Sequence, residues 1–221
     1  MRGAIQSFGD RIEYELHFAD AGYKAIAGVD EVGRGALAGP LVAAAVILPE
    51  IAELRRDIDF WSMVDDSKTI SHARRTVLAA GIRERARCFS VAAIPPTLLD
   101  EIGVGPANRM AMELAVRGIT TTPDILLIDA MTLDLDLPQV GIIDGDAKSL
   151  SIAAASIVAK VARDAEMCDL DSLFPAFGFA AHKGYGVVRH LSALIEHGPC
   201  EHHRYSFSPV RLASEHPHDR T

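Results

Sequence analysis

Cysteine is scarce in this chain: three occur in 221 residues, Cys88, Cys168 and Cys200. They are far apart and odd in number, which excludes a disulfide framework and suits a reducing cytoplasm. No apolar run reaches the length needed to cross a bilayer, and residues 1–20 hold four acids and no hydrophobic stretch, so neither an anchor nor a signal peptide is expected. Internal repeats and low-complexity linkers are lacking, which points to one body with a helical C-terminal addition. Positive charge is in deficit: the net charge of -8 argues against indiscriminate binding of nucleic acid. What is present is apolar material, 49% of residues with a mean hydropathy of +0.15, enough to bury a substantial core.

The charge is distributed unevenly. Residues 67–90 carry Lys68, Arg74, Arg75, Arg83, Arg85 and Arg87 against one acid, Glu84, while residues 123–146 carry six aspartates and no Lys or Arg. The first segment can meet phosphates, or be a solvated helix face; the second can hold cations.

The chain is organised around residues 26–40, where an apolar run delivers Asp30 and Glu31 into a turn rich in glycine. Residues 24–29 and 41–48 read as buried strands, and the simplest connection between them is a hairpin. Adjacent residues of a strand face opposite ways, so both acids serve one site only if the strand ends there and the backbone turns at Val32 and Gly33. Arg34, between Gly33 and Gly35, lies where backbone can approach a ligand closely, and its fork suits a phosphate. The plain alternative is a tight turn with surface charge.

The rest follows in order. Residues 1–23 read as a polar extension ahead of a domain over 24–221. A polar loop at 65–69 precedes a helix from an N-cap at Ser71 to about Ala86, then a strand over 87–94. Helical patterns cover 98–102 and 106–117, the latter with Met110, Leu114 and Arg117 at helical spacing and its methionines expected as core filler. Short apolar strands at 125–128 and 140–143 stop on Asp129 and on Asp144-Gly145-Asp146. An alanine-rich helix spans 149–171, with Ser156, Lys160 and Asp164 on one stripe, so Lys160 has a ready intrahelical partner. A second glycine-rich loop at 181–186 leads into a helix over 187–196.

Strands and helices in this order give an α/β fold with a mixed five-stranded sheet. If the strand ending at Asp129 lies parallel beside the one ending at Asp30, both carboxylates emerge at one sheet edge, where α/β folds bind ligands. Asp30, Glu31, Asp129 and Asp146 would then converge. Four carboxylates with no nearby cysteine or histidine pair suit Mg²⁺ or Mn²⁺, and with a phosphate-binding surface they suit two-metal hydrolysis of a phosphodiester.

The chain resembles ribonuclease HII, the type 2 ribonuclease H of bacteria, from about Ala25 to Leu212. The matching pieces are Gly-Val-Asp-Glu-Val-Gly-Arg-Gly at 28–35, Asp-Ser-Lys at 66–68, Leu-Ile-Asp at 127–129, Gly-Asp at 145–146, the run from Ser151 to Asp164, His-Lys-Gly-Tyr at 182–185 and Glu-His-His-Arg at 201–204. The resemblance implies a ribonuclease H-like fold and metal-dependent cutting of RNA paired with DNA, including single ribonucleotides in duplex DNA, as in RNA primer removal and ribonucleotide excision. It implies a 3′-hydroxyl and 5′-phosphate product, a monomeric protein and no membrane partner. It makes Asp30, Glu31, Asp129 and Asp146 the acids holding two Mn²⁺ or Mg²⁺ ions, Gly33, Arg34, Gly35 and Tyr185 the readers of the junction ribose, and Lys68, Ser156, Lys160 and Lys183 contacts to phosphate.

This chain departs from the family pattern in two places: Ala130 stands where glycine usually follows Leu-Ile-Asp, and an extra acid, Asp144, precedes Asp146. The cluster His197, Cys200, His202 and His203 fits no zinc signature and is expected to be structural or DNA-facing. Two rival readings are a nuclease of the same fold that ignores ribose and a non-catalytic nucleic-acid-binding module.

Overall fold

The computed structural model describes residues 8–68 and 70–215. Five strands form one sheet: β1 (Ile26–Val32), β2 (Leu41–Ile47), β3 (Cys88–Ile94), β4 (Ile125–Asp129) and β5 (Gln139–Ile142), in the order β3-β2-β1-β4-β5. It is the expected mixed sheet flanked by helices. β1 pairs parallel to β4 with Val29 opposite Ile128, and β4 pairs parallel to β5 with Asp129 opposite Ile142. The register therefore carries Asp30 and Asp129 out at the same end of neighbouring strands.

By contacts the chain forms two compact units. One gathers the chain up to Glu31 with Ala43–Ala92 and Met112–Val161; the other gathers Val32–Val42, Ala93–Ala111 and the chain from Ala162 onwards. In the first unit Ile26, Ile125, Leu127, Ile142 and Ile152 are buried together. Its sheet takes the N-terminal end of the long helix Leu150–Leu173 at very close range: a Cβ on Gly28 would lie 2.0 Å from the Ser151 carbonyl carbon. Only glycine allows that approach, so Gly28 fixes the height of β1 beneath the helix. The second unit packs Leu37, Met167, Phe177, Phe179, Leu194 and Val210 around its own core.

Three expectations need correction. Within residues 1–23, helices cover Phe8–Arg11 and Glu13–Asp20 where a polar extension was expected; residues 1–7 lie outside the described residues. These helices are tied down by polar side chains that composition alone reads as solvent-facing. Arg11 is buried, donates to the Val64 carbonyl and pairs with Asp65 at 2.9 Å. Glu15 is buried and accepts from Ser149 Oγ at 2.6 Å and from Ser151 N at 2.9 Å, capping the long helix. Second, β1 runs on through Asp30 and Glu31 to Val32 where the strand was expected to end at Val29; β2 lies beside it as the expected hairpin, joined by residues 33–40 with Gly33 and Gly39 at φ of 86° and 81°. Third, of the methionines expected as core filler on helix Val104–Gly118, Met112 is buried with Ala107, Ala111 and Ala115 but Met110 is exposed. Ser71 caps helix His72–Arg85 as expected, accepting from Arg74 N. No described helix is long and apolar enough to cross a membrane.

Candidate functional site

The first unit holds the four acids. Asp30, 5% exposed, accepts the Glu31 N–H at 2.8 Å and the hydroxyl of Ser156. Burial pushes its carboxyl well above the usual range, and repulsion from Glu31 and Asp129 adds to the shift. Asp129 ends β4 with Oδ1 accepting the Gly145 N–H at 2.7 Å, which anchors the short helix Gly145–Lys148 and brings the buried Asp146 alongside. Desolvation, then the charges of Asp146 and Asp144, raise the Asp129 carboxyl against the lowering effects of Gly145 and Lys68. Lys68 Nζ donates to Asp146 Oδ2 at 2.7 Å, and that bond raises the ammonium's pKa.

Of the other residues expected here, Ser156 is buried and shares a hydrogen bond of 2.9 Å with Ser67 Oγ, so its hydroxyl is engaged with Ser67 and Asp30. Lys160 is half-buried on the long helix. Arg75 leaves the expected basic surface: it is buried and donates to the Ser67 and Ile70 carbonyls at 2.9 and 2.7 Å, shaping the loop that presents Lys68. Both departures from the family pattern carry left-handed backbone, Ala130 at φ 53° and Asp144 at φ 54°. Aspartate tolerates that conformation better than alanine does.

Among the described residues no three His, Cys, Asp or Glu side chains form a ready-made metal cage. The donor set still fits hard divalent cations. It offers carboxylate oxygens only, they repel one another enough to raise Asp30 and Asp129, and a cation, the Lys68 ammonium, is already drawn against Asp146.

The second unit holds the glycine loop and Tyr185, built by two buried arginines. Arg204 donates through Nε and Nη2 to the Gly39 carbonyl at 3.0 and 2.9 Å and through Nη1 to the Arg34 carbonyl at 3.0 Å. Arg163 donates to the carbonyls of Pro40, Ala38 and Lys183 at 2.9, 3.1 and 2.9 Å, with its guanidinium 5.5 Å from the centre of the Tyr185 ring. A Cβ on Gly33 would meet Arg163 Nε at 2.1 Å. A trans peptide holds its C=O and N–H on opposite sides, so turning the Arg34 carbonyl in to Arg204 turns the Gly35 N–H out. Arg34 and Gly35 are exposed, and a Cβ on Gly35 would meet nothing within 4 Å. Burial lowers the pKa of both arginines, Arg204 to about 10, with Arg163 adding repulsion; the carbonyl dipoles hold them in place. Lys183 takes left-handed backbone at φ 53°, and its ammonium donates to Cys168 Sγ at 3.0 Å. Arg163 and Arg204 were legible only as parts of motifs. The local signal was an arginine inside an otherwise alanine-rich stripe.

A family model described as ribonuclease HII matches residues 27–210, spanning both units. A ribonuclease HII of Bacillus mycoides strain KBAB4 is 46% identical over 207 residues, covering 93% of this chain and 77% of that protein. Among solved structures, ribonuclease H2 from Pyrococcus horikoshii OT3 superimposes with a TM-score of 0.74 at 25% identity, over 86% of this chain and 97% of that one. Bst-RNase HIII, solved in complex with Mn²⁺, shares the fold with a TM-score of 0.67 at 20% identity, over 86% of this chain and 68% of that one.

Proposed function

Because the chain belongs to the ribonuclease HII family, we propose that it cuts the RNA strand of RNA–DNA hybrids and single ribonucleotides embedded in duplex DNA. As a member of that family it is a ribonuclease and a hydrolase; the finer substrate, the metal and the residue roles are our reading. The observation that carries it is the parallel register of β1 and β4, with the Gly145 bond to Asp129, which groups buried and half-buried, mutually repelling carboxylates at one sheet end.

In this reading Asp30, Glu31, Asp129 and Asp146 hold two divalent ions, Mg²⁺ or Mn²⁺. When bound, such ions activate water for attack on the phosphorus and stabilise the leaving 3′-oxygen, giving a 3′-hydroxyl and a 5′-phosphate. The chain's own groups do the rest. Ser156 and the Glu31 N–H orient the Asp30 carboxylate. Lys68, with 75% of its side chain in solvent, can turn from Asp146 to a phosphate oxygen.

Sugar reading falls to the second unit. The outward Gly35 N–H suits a 2′-oxygen, and Tyr185 offers a ring to pack on the ribose and a phenol to hydrogen-bond beside it. Leaving such groups unpaired against deoxyribose costs about 1–3 kcal/mol each. The test is a duplex with one ribonucleotide beside its all-DNA twin: cutting of the first alone, abolished by chelator, is expected. Equal cutting of both would favour a ribose-indifferent nuclease of this fold, and no cutting of either would favour a non-catalytic binding module.

A further inference from the structure

Two histidines of the C-terminal region, His190 and His203, are not on the surface awaiting DNA, whereas His197 is exposed. His190 and His203 are buried side by side in the second unit with Nε2 to Nε2 at 3.0 Å. Two neutral imidazoles can share that bond only if one carries its proton at Nε2 and the other at Nδ1. Both ends of the pair decide which. At the far end His203 Nδ1 faces three atoms of Cys200, the N–H at 3.0 Å, the thiol at 3.1 Å and the carbonyl at 3.3 Å; the N–H is the nearest and can only donate, so it takes the Nδ1 lone pair and the proton sits on Nε2. The Cys200 carbonyl is already served by the His203 N–H at 3.0 Å. At the near end His190 Nδ1 lies 3.0 Å from the Tyr185 carbonyl, which can only accept, so His190 carries its proton at Nδ1 and accepts at Nε2. The two independent ends give the same direction: Cys200 N–H to His203, His203 to His190, His190 to the Tyr185 carbonyl.

The surroundings keep the pair neutral. Phe177 lies 4.7 Å from the His203 ring, Phe179 stands edge-on to His190 at 5.6 Å, and His182 stacks on His190 at 4.5 Å. His182 in turn accepts the Gly184 N–H at Nδ1 and faces the Phe177 carbonyl through Nε2 at 2.9 Å, so it also has one tautomer. The Tyr185 carbonyl is saturated, because Val187 N–H is its second donor at 2.9 Å. The preceding Gly184 carbonyl accepts from Leu37 N at 2.8 Å, tying the loop to the glycine-rich segment that carries Gly35.

We propose that the His203–His190 pair is a one-way hydrogen-bond relay that fixes the Tyr185 backbone, making both histidines positioning residues for the sugar-reading step. The proposal rests on the reading of Tyr185 given above. Neither histidine touches the substrate; each acts through the tyrosine. Phenylalanine at 190 keeps the packing and removes the donor, whereas asparagine can return an N–H near the position of Nδ1.

The test has two arms. In the first, ¹⁵N NMR of the unmodified protein at neutral pH should find His190 protonated at Nδ1 and His203 at Nε2. The reverse tautomers, or an imidazolium at either, would overturn the relay, and this arm needs no variant to fold. In the second, cleavage at a single embedded ribonucleotide is compared for His190→Phe, His190→Asn, Tyr185→Ala and the double variant His190→Phe/Tyr185→Ala. We expect His190→Phe to lower kcat on the order of tenfold or more with KM little changed, and His190→Asn to recover part of the loss. The double variant should be no worse than Tyr185→Ala, because the relay has nothing left to position. Equal fold-losses from His190→Phe in both backgrounds would overturn the relay's role while leaving Tyr185 intact as a reader. Full activity of Tyr185→Ala would overturn the sugar-reading assignment, and the relay's purpose with it.

Discussion

At Asp30 two costs meet: lost hydration and repulsion from Glu31 and Asp129 both disfavour the ionised carboxyl. Asp30→Asn keeps the shape and removes the charge, so in chelator its thermal midpoint should equal or exceed that of the parent while cleavage falls by about a thousandfold or more. A variant that melts well below the parent would mean that the carboxylate is chiefly structural. Ala130 makes a second case. It holds φ 53° while its N–H donates to the Ile142 carbonyl at 2.9 Å, a conformation that costs a side-chain-bearing residue about 1 kcal/mol or more. Ala130→Gly should therefore raise the urea midpoint by the equivalent of about 0.5–1 kcal/mol, and a lower midpoint would show that the strain is relieved elsewhere.

Among the elements, the meeting of β1 with the start of the long helix is the tightest joint supporting the acids. Gly28→Ala forces a Cβ against the Ser151 backbone, which cannot yield as a side-chain tip could. We expect a loss of about 3 kcal/mol in urea unfolding together with reduced cleavage, since any shift of β1 carries Asp30 with it. Unchanged stability would show that helix and strand can part without cost. Much of this level was legible in the sequence. The apolar run ending at Asp129 and the Ser71 cap are local signals, and both elements form as read. The parallel pairing of β1 and β4 followed from asking how two carboxylate-ended strands could share an edge. What was hidden depends on partners distant in sequence. Arg11 and Glu15 look solvated until Val64, Asp65, Ser149 and Ser151 are placed around them, and the tautomers of His190 and His203 exist only in each other's presence. Ser156 reads as one of a helical stripe with Lys160 and Asp164 and, by the resemblance, as a phosphate contact, yet the burial of that position turns its hydroxyl toward Ser67 and Asp30.

For the molecule as a whole, the histidine relay sets a dependence of stability on pH. Burial, then the neighbouring His190, His202 and His182, lower His203 to about 4 against the upward effect of the Cys200 carbonyl, and burial also lowers His190. The unfolded chain binds a proton at His203 as pH falls through about 6.5, whereas the folded chain resists until about 4. Its contribution is therefore complete above about 6.5 and is lost as pH falls toward 4. The raised acids act in the opposite sense, so the clean comparison is between the parent and His203→Gln, in which those acids cancel. The stability gap between them should narrow by about 3 kcal/mol from pH 7 to pH 4, and a gap independent of pH would show that His203 is not held neutral.

We propose that the carboxylates at the shared end of β1 and β4 form a metal-dependent cutting centre. The most direct test is a Mn²⁺ titration of cleavage at a single embedded ribonucleotide by the unmodified protein and by Asp129→Asn, with a chelator control. Cutting should rise with metal in the unmodified protein, leave a 3′-hydroxyl and a 5′-phosphate, vanish in chelator and be absent from Asp129→Asn at every metal concentration. Substantial cutting by Asp129→Asn at saturating Mn²⁺, or full activity of the unmodified protein in chelator, would contradict it.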